Sequence, residues 1–220
     1  EKIQIETTVH IELTEEDMEG LTAALAEPFS IAANILSRAN ATQNDSMLII
    51  GSGAIGLSLL QAAKAIGMRV MVADVIDKKL SLAAHMGADQ VVNSKTGDLK
   101  TAAEAFTENG FDIVIDAVGI TPLFQQSLQF AAPRARVMCI GFDARPAEIP
   151  PVLITKKELS IIGSRMNCHQ FPTVMQWLED GKINAEYMIS KRYSIDEIQQ
   201  AFESTIADTE GSVKTMILFD

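Results

Sequence analysis

The sequence predicts an α/β protein with a doubly wound parallel sheet of six strands, and three observations lead to this fold class. Short apolar runs alternate along most of the chain with segments of helical period. The apolar run 47–50 leads directly into a G-x-G-x-x-G pattern. Its three glycines are Gly51, Gly53 and Gly56. A second predicted strand, 69–73, ends at Asp74, 23 residues after Gly51. Right-handed crossovers between such strands place a ligand at their carboxyl ends, where the strand order reverses.

The first predicted strand and helix hold the glycine pattern. The strand 47–50 is wholly apolar, as is typical of a strand buried on both faces, and the predicted helix 55–66 ends at a glycine. We expect Gly51 to make the tight turn, Gly53 to let the backbone approach a pyrophosphate, and Gly56 to let the helix lie close to the sheet. Free N–H groups and the positive dipole end at the helix start suit phosphate charge. The pattern therefore predicts a dinucleotide site.

Asp74 lies where such a site needs a carboxylate. At the end of the second strand, it is placed to accept hydrogen bonds from the hydroxyl groups of an adenosine ribose. A 2′-phosphate there would meet a like charge, which favours NAD over NADP, although Lys78 and Lys79 lie just beyond. The alternative interpretation is that Asp74 only caps its strand.

Further elements continue the alternation as far as residue 164. The predicted helices are 78–86, 101–108 and 121–130, and the predicted strands are 90–93, 111–119, 136–141 and 158–164. The stretch 142–151 carries three prolines and is predicted as a loop. These strands and helices complete the predicted sheet.

The two ends of the chain depart from this alternation. Near the start we expect short strands within 3–13, a helix start at Thr14 and Asp17, and a helix whose first position is Pro28. Near the end we expect a helix from residue 171, a loop with strand character at 188–194, a helix at 195–206 capped by Ser194 and Glu197, and a strand at 213–219. These last elements are typical of pieces of a neighbouring domain.

Composition narrows the classes of function. With 220 residues the chain can form one large core, or one domain and part of another. The net charge of −11 argues against nucleic acid or an anionic membrane as a partner, because both need a cationic face. No apolar run reaches the ~20 residues that span a bilayer, and the first residues do not resemble a signal peptide, so we expect a cytoplasmic location.

Cys139 and Cys168 form no disulfide framework. A start without methionine is typical of a fragment.

Six stretches resemble the zinc-type medium-chain dehydrogenases, most closely the branch that acts on polyols, sugar acids and threonine. They are AEPFSIA, GSGAIGLSLLQAAKAIG, VADVIDKKLSLAAHMGAD, FDIVIDAVG, KKELSIIGS and DGKINAEYMISKRYSIDEIQQAFE. The resemblance implies a six-stranded Rossmann domain at 41–164 that binds NAD, flanked by remnants of a second, GroES-like catalytic domain. The segment 1–40 would link the two domains, and 165–220 would pack with the catalytic domain.

The resemblance also implies which residues contact the cofactor. They are Gly51, Ser52, Gly53, Ala54, Ile55, Gly56, Asp74, Lys79, Val118, Ile140, Phe142 and Arg165. The first six would hold the pyrophosphate, Asp74 and Lys79 would lie along the adenosine ribose, and the next three would line the nicotinamide. Arg165 would lie near the cofactor phosphates and the substrate pocket. Its alternative is a solvated loop residue, since arginine is usually exposed.

Zinc is the point at which the sequence departs from this family. A complete member carries an N-terminal domain that supplies a Cys and a His-Glu pair to a catalytic zinc, and these are missing here. The resemblance places Glu27 at or near that zinc. The alternative is an acidic residue at a helix N-terminus, stabilised by the dipole. Because catalytic zinc needs three protein ligands, we expect no metal in this chain alone.

The resemblance implies an NAD-dependent oxidoreductase that transfers a hydride between a secondary alcohol and nicotinamide, with zinc polarising the alcohol in the whole enzyme. The substrate would be a polyol, a sugar acid or another alcohol. For this chain we expect NAD binding without appreciable turnover. Two alternatives stay open: a non-catalytic NAD-binding module, and a methyltransferase, which also uses a glycine-rich turn. We further expect a homo-oligomer, a dimer or a tetramer, formed through the strand at 158–163.

Overall fold

The structure confirms the predicted fold class. A computed structural model of the chain describes residues 22–208 and 210–219. The strands of its main sheet are β1 (Ser46–Ile50), β2 (Arg69–Asp74), β3 (Gln90–Asn93), β4 (Phe111–Asp116), β5 (Ala131–Cys139) and β6 (Ser160–Gly163). All neighbouring pairs are parallel, in the order β3-β2-β1-β4-β5-β6. The order reverses between β1 and β4, so a crevice is expected at the carboxyl ends of these two strands.

Helices cover both faces of the sheet. They are α1 (Thr22–Arg38), α2 (Ala54–Ala65), α3 (Asp77–His85), α4 (Leu99–Phe106), α5 (Thr121–Phe130), α6 (Pro151–Lys157), α7 (Phe171–Glu179) and α8 (Ile198–Ala207). The C-terminal part adds two 3-10 turns, Ala185–Met188 and Ile195–Glu197, and the parallel pair β7 (Ile189–Ser194) and β8 (Lys214–Leu218). Among the described residues, no helix has both the length and the apolar character needed to cross a membrane.

The central strands are buried on both faces. In β1, Met47 and Ile49 lie in the core formed with α1, α2 and α3, whereas Leu48 and Ile50 lie in the core formed with α4 and α5. Successive side chains of a strand point to opposite faces. Because each face of β1 is covered by helices, every residue that points either way must be apolar, which accounts for the uninterrupted run.

The C-terminal part of the chain contributes to the first of these cores. Val174 of α7 is fully buried there, as is Met188, and Ile183 and Ala185 are almost so. The predicted capping box is present, with the Glu197 carboxylate accepting hydrogen bonds from the Ser194 N–H and hydroxyl over 3.0 and 3.1 Å. The domain boundaries near residues 40 and 164 stay predictions.

The prediction that Pro28 takes the first position of its helix is wrong. α1 starts at Thr22, so Pro28 lies inside it. A proline there removes the donor to the carbonyl of Ala24, and Ala24 is exposed, so water can replace the missing partner. Leu25 and Phe29, one on each side of the proline in sequence, are buried in the same core. Their burial keeps the helix continuous. The elements predicted within 3–13 and at Thr14 and Asp17 lie outside the described residues.

The chain between β5 and β6 also differs from the prediction. β5 begins at Ala131 rather than 136, and α6 occupies a stretch in which no helix was expected. Pro151 opens α6 at a position where proline is favoured, and Glu158, at φ 52°, ends it in the left-handed conformation. A left-handed residue cannot continue a strand. β6 is therefore shorter than 158–164.

Candidate cofactor-binding site

Gly51 directly follows β1 and turns the chain toward the crevice. Its φ of 104° favours glycine, and its N–H donates to the Ala73 carbonyl oxygen of β2 over 2.7 Å. A Cβ on Gly56 would lie only 1.9 Å from the Gly51 carbonyl oxygen. Only glycine at position 56 lets the first turn of α2 pass so close to the strand end. The packing of the chain itself thus accounts for these two glycines.

The start of α2 presents backbone donors at the surface. Gly53 is the N-cap residue, and no side chain caps the helix. The N–H of Leu57 donates to the Gly53 carbonyl oxygen over 2.9 Å, so the N–H groups of Ala54, Ile55 and Gly56 precede the first helical bond. Gly53, Ala54 and Ile55 are all half-buried. Uncapped donors at the positive end of a helix form an anion-binding surface.

Ser52 points away from this surface. It is fully buried, and its N–H and hydroxyl both donate to Oδ2 of Asp74, over 2.6 and 2.7 Å. The other oxygen, Oδ1, accepts from the N–H groups of Val75 and Ile76 over 2.7 and 3.0 Å. Asp74 therefore lies beside the glycine turn and also caps the end of its own strand.

Asp74 carries its charge at the far end of β2. Partial burial raises the pKa of its carboxyl, but the hydrogen bonds from Ser52, Ile76 and Val75 together outweigh this and hold the pKa below its ordinary value. The carboxylate is therefore ionised at neutral pH. Lys79, in the first turn of α3, is half-buried, and Lys78 beside it is exposed.

Ile140, Phe142 and Arg165 line one cavity of about 400 Å³ beyond β5 and β6. The Arg165 guanidinium lies over the Phe142 ring, 5.2 Å from its centroid, and Phe142 is 79% exposed. Val118 does not line this cavity. Its Cγ2 atom lies beside the glycine turn, where it would be 2.6 Å from a Cβ on Gly51. Of the three predicted nicotinamide residues, Ile140 and Phe142 thus line this cavity together with Arg165, whereas Val118 lies nearer the helix start.

The zinc-binding dehydrogenase family matches residues 54–180. The chain belongs to this family. Starvation-sensing protein RspB of Escherichia coli K12 is 35% identical over 201 residues, covering 90% of this chain and 58% of RspB. D-arabitol-phosphate dehydrogenase of Enterococcus avium is 31% identical over 201 residues, covering 89% of this chain and 56% of that protein. The chain therefore spans somewhat more than half the length of these relatives.

A solved structure shares the fold of this chain. It is the RspB short chain alcohol dehydrogenase of Escherichia coli CFT073, complexed with NADH. It matches with a TM-score of 0.84 at 34% identity, covering 90% of this chain and 59% of its own. The family and the predicted Rossmann sheet are thus confirmed.

Glu27 does not lie at a helix N-terminus. α1 begins at Thr22 rather than at Pro28, so Glu27 follows the first turn of the helix. The interpretation of Glu27 as a dipole-stabilised acidic residue is therefore wrong. The Glu27 side chain is exposed. In the described part of the chain, no group of three or more His, Cys, Asp or Glu side chains could hold a metal ion. The zinc of the family does not fit these residues.

Asn34 of α1 holds the loop that carries Arg165. The side chain is 3% exposed, and its amide N–H₂ donates to the carbonyl oxygens of Arg165 and Met166 over 3.2 and 3.0 Å. Arg38, one turn along, donates through Nε to the Gly163 carbonyl oxygen over 2.6 Å. Neither residue was predicted from the sequence. The signal available was one amide among the apolar positions of α1.

Asp116 shapes the turn that follows β4. It is 3% exposed, and it accepts hydrogen bonds from the N–H groups of Val118, Gly119 and Ile120 over 3.0, 3.0 and 2.9 Å. Burial raises the pKa of this carboxyl, and the three N–H groups offset only part of that rise. The turn places Val118 against Gly51. This residue was not predicted from the sequence either, although a carboxylate at the end of an apolar strand was visible.

A groove larger than the cavity beyond β5 and β6 lies elsewhere. It has a volume of about 720 Å³, lies between α4 and α5, and contains none of the predicted cofactor residues. Its charged lining mixes Lys100 and Lys157 with Glu104 and Glu108. A groove of mixed sign offers no preference for a phosphorylated ligand.

Proposed function

We propose that this chain binds NAD and is the cofactor-binding portion of an NAD-dependent dehydrogenase. The observation that carries the proposal is at Gly53. Its φ of −76° and ψ of −170° are open to any residue, and a Cβ there would meet no protein atom within 4 Å. The chain's own packing gives no reason for glycine at this position. A pyrophosphate lying against the backbone does.

The remaining contacts with NAD are proposed from the positions of the other residues along the crevice. The N–H groups at the start of α2 would bind the two phosphates. Asp74 would accept hydrogen bonds from the adenosine ribose, with Lys79 alongside. The cavity lined by Ile140, Phe142 and Arg165 would hold the nicotinamide end, with Val118 between it and the phosphates. When bound, the nicotinamide supplies the hydride acceptor or donor.

For the whole protein we propose hydride transfer between a secondary alcohol and nicotinamide. The substrate class is a polyol, a sugar acid or a related alcohol, in line with the name of its relative D-arabitol-phosphate dehydrogenase. Because the described residues do not fit the family zinc, the chain alone should bind NAD without turnover. Its part in the reaction is to hold the cofactor in a fixed position.

Calorimetric titration tests the proposal. The 220-residue chain is titrated with NAD⁺ and, separately, with S-adenosylmethionine. Saturable binding of NAD⁺ alone supports the proposal, whereas binding of S-adenosylmethionine alone would indicate a methyltransferase. The same sample is then mixed with NAD⁺ and a panel of polyols and sugar acids, and NADH formation is followed by absorbance. Robust turnover would contradict the expectation of binding without catalysis.

We also propose that two copies pair through β6. This strand is one edge of the described sheet and pairs with no strand there other than β5, and Ser160, Ile161 and Gly163 are exposed. Exposed edge strands are templates for pairing. Light scattering at tens of micromolar should give at least twice the chain mass of 23.9 kDa. Ile161→Lys should reduce this toward the mass of one chain and leave NAD affinity unchanged. A monomeric unaltered chain would contradict the pairing.

A further inference from the structure

We propose that the Ser52 hydroxyl determines the preference of this site for NAD over NADP by anchoring the Asp74 carboxylate. The inference rests on the proposed NAD-binding function. Ser52 would be a positioning residue, since its side chain points into the protein and acts through Asp74 rather than on the cofactor.

Hydrogen bonds from the protein hold both oxygens of the Asp74 carboxylate in place. Oδ1 accepts the two N–H groups of the chain that follows, from Val75 and Ile76. Oδ2 accepts the N–H and the hydroxyl of Ser52. One oxygen is therefore fixed to the end of β2 and the other to the glycine turn.

This double attachment opposes the movement that NADP would require. A 2′-phosphate brings negative charge to the ribose position, so the carboxylate must turn away to admit it. Turning away would leave the Ser52 hydroxyl, in a residue with 0% exposure, without its acceptor. An unpaired buried hydroxyl carries a desolvation penalty. NAD binding needs no such movement.

The lysines beyond Asp74 make this anchor decisive. Lys78 is exposed and Lys79 is half-buried in the first turn of α3. Their ammonium groups are the type of partner that a 2′-phosphate needs. A site with a mobile carboxylate and two lysines nearby would therefore tolerate NADP. The Ser52 hydroxyl keeps the carboxylate in the position that rejects it.

The test compares the two dinucleotides in one protein. The dissociation constants of NAD⁺ and NADP⁺ are measured by calorimetry for the unaltered chain and for Ser52→Ala, which keeps the backbone N–H bond to Asp74. We expect the ratio of the NADP⁺ constant to the NAD⁺ constant to fall by about tenfold in Ser52→Ala. Ser52→Thr retains a hydroxyl and should restore the ratio. A general loosening of the site would weaken both dinucleotides and leave the ratio unchanged.

Ser127→Ala is the matched control. Ser127 is also fully buried, and its hydroxyl donates to the Phe124 carbonyl oxygen within α5 over 2.6 Å. The ratio should not change in this variant. A double-mutant cycle with Asp74→Asn adds a second control, because Ser52→Ala should then have no further effect on the ratio.

Each outcome decides a separate question. If the unaltered chain binds neither dinucleotide, the proposed function fails. If it prefers NAD⁺ and Ser52→Ala leaves the ratio unchanged, the inference is overturned while the proposed function stands. A change of ratio that persists in the Asp74→Asn background also overturns it. If Ser52→Ala does not fold, Ser52→Cys, whose thiol is a weak donor, must lower the ratio for the inference to hold.

Discussion

A Cβ on Gly56 would lie 1.9 Å from the carbonyl oxygen of Gly51, whereas one on Gly53, between them, would meet no protein atom within 4 Å. Gly56→Ala should lower the free energy of unfolding by about 3 kcal/mol, because α2 must shift from the strand end. Urea denaturation followed by circular dichroism measures this change.

Gly53→Ala is the companion variant. It should leave the free energy of unfolding unchanged, since its methyl group enters open space. Its affinity for NAD⁺ should fall at least about tenfold, because the methyl group occupies the approach of the pyrophosphate. A Gly53→Ala chain that binds NAD⁺ as tightly as the unaltered one would remove the main support for the proposed function.

The Asp45–Arg136 pair should make stability dependent on pH. Arg136 donates to both oxygens of Asp45 and to the carbonyl oxygens of Ala39 and Asn40, which joins β5 to the turn before β1. Partial burial raises the pKa of Asp45, but the bonds from Arg136 and Thr42 prevail and hold it below the ordinary 3.8. Since the folded pKa is the lower one, the stabilisation is complete above about pH 4 and is lost as the pH falls through the folded value.

Asp45→Asn should therefore lower the free energy of unfolding by about 2 kcal/mol at pH 7. The difference from the unaltered chain should shrink as urea denaturation is repeated at lower pH, below about pH 4. Glu104→Gln, which breaks an exposed ion pair with Lys100, should change stability little at either pH. A difference for Asp45→Asn that does not vary with pH would contradict the role given to its charge.

Asn34→Ala should loosen the loop at 164–166. The variant leaves the carbonyl oxygens of Arg165 and Met166 without their shared donor, so the free energy of unfolding should fall by about 1 kcal/mol. NAD affinity should also fall, because Arg165 is carried by this loop. Ser37→Ala, an exposed position of the same helix, should change neither quantity. Thermal unfolding measures the change in stability, and NADH fluorescence measures the change in affinity. An unchanged affinity would show that this loop takes no part in NAD binding.

The central sheet could be predicted because its signals are local. β1 has helices on both faces, and its residues 47–50 are all apolar. α5 matches its predicted bounds because Pro122 and the turn before the helix mark its start. The ends of β5 and β6 were harder to predict. Glu158, which separates α6 from β6, has the left-handed conformation. Glutamate is not a residue type that indicates this conformation.

The site could be predicted only in its backbone. The glycine spacing located the turn, and the distance along the chain located Asp74. The inward direction of the Ser52 side chain depends on how Gly51 turns, which no pattern of residue types reveals. Asn34 and Arg165 are 131 residues apart in sequence. Their contact depends on the placement of β6 beside α1, which only the assembled sheet defines.

Phe142 and Arg165 should act on the nicotinamide end alone. ADP-ribose keeps the adenosine, both phosphates and the second ribose but lacks the nicotinamide, so it separates the two ends of the site. Phe142→Ala should weaken NAD⁺ binding by about three- to tenfold through the lost ring contact and leave ADP-ribose binding unchanged. Arg165→Gln should act in the same direction. Phe219→Ala is the matched control, since Phe219 is 78% exposed and follows β8. If Phe142→Ala weakens both ligands equally, this side chain does not line the nicotinamide, and the cavity beyond β5 belongs to the phosphates instead.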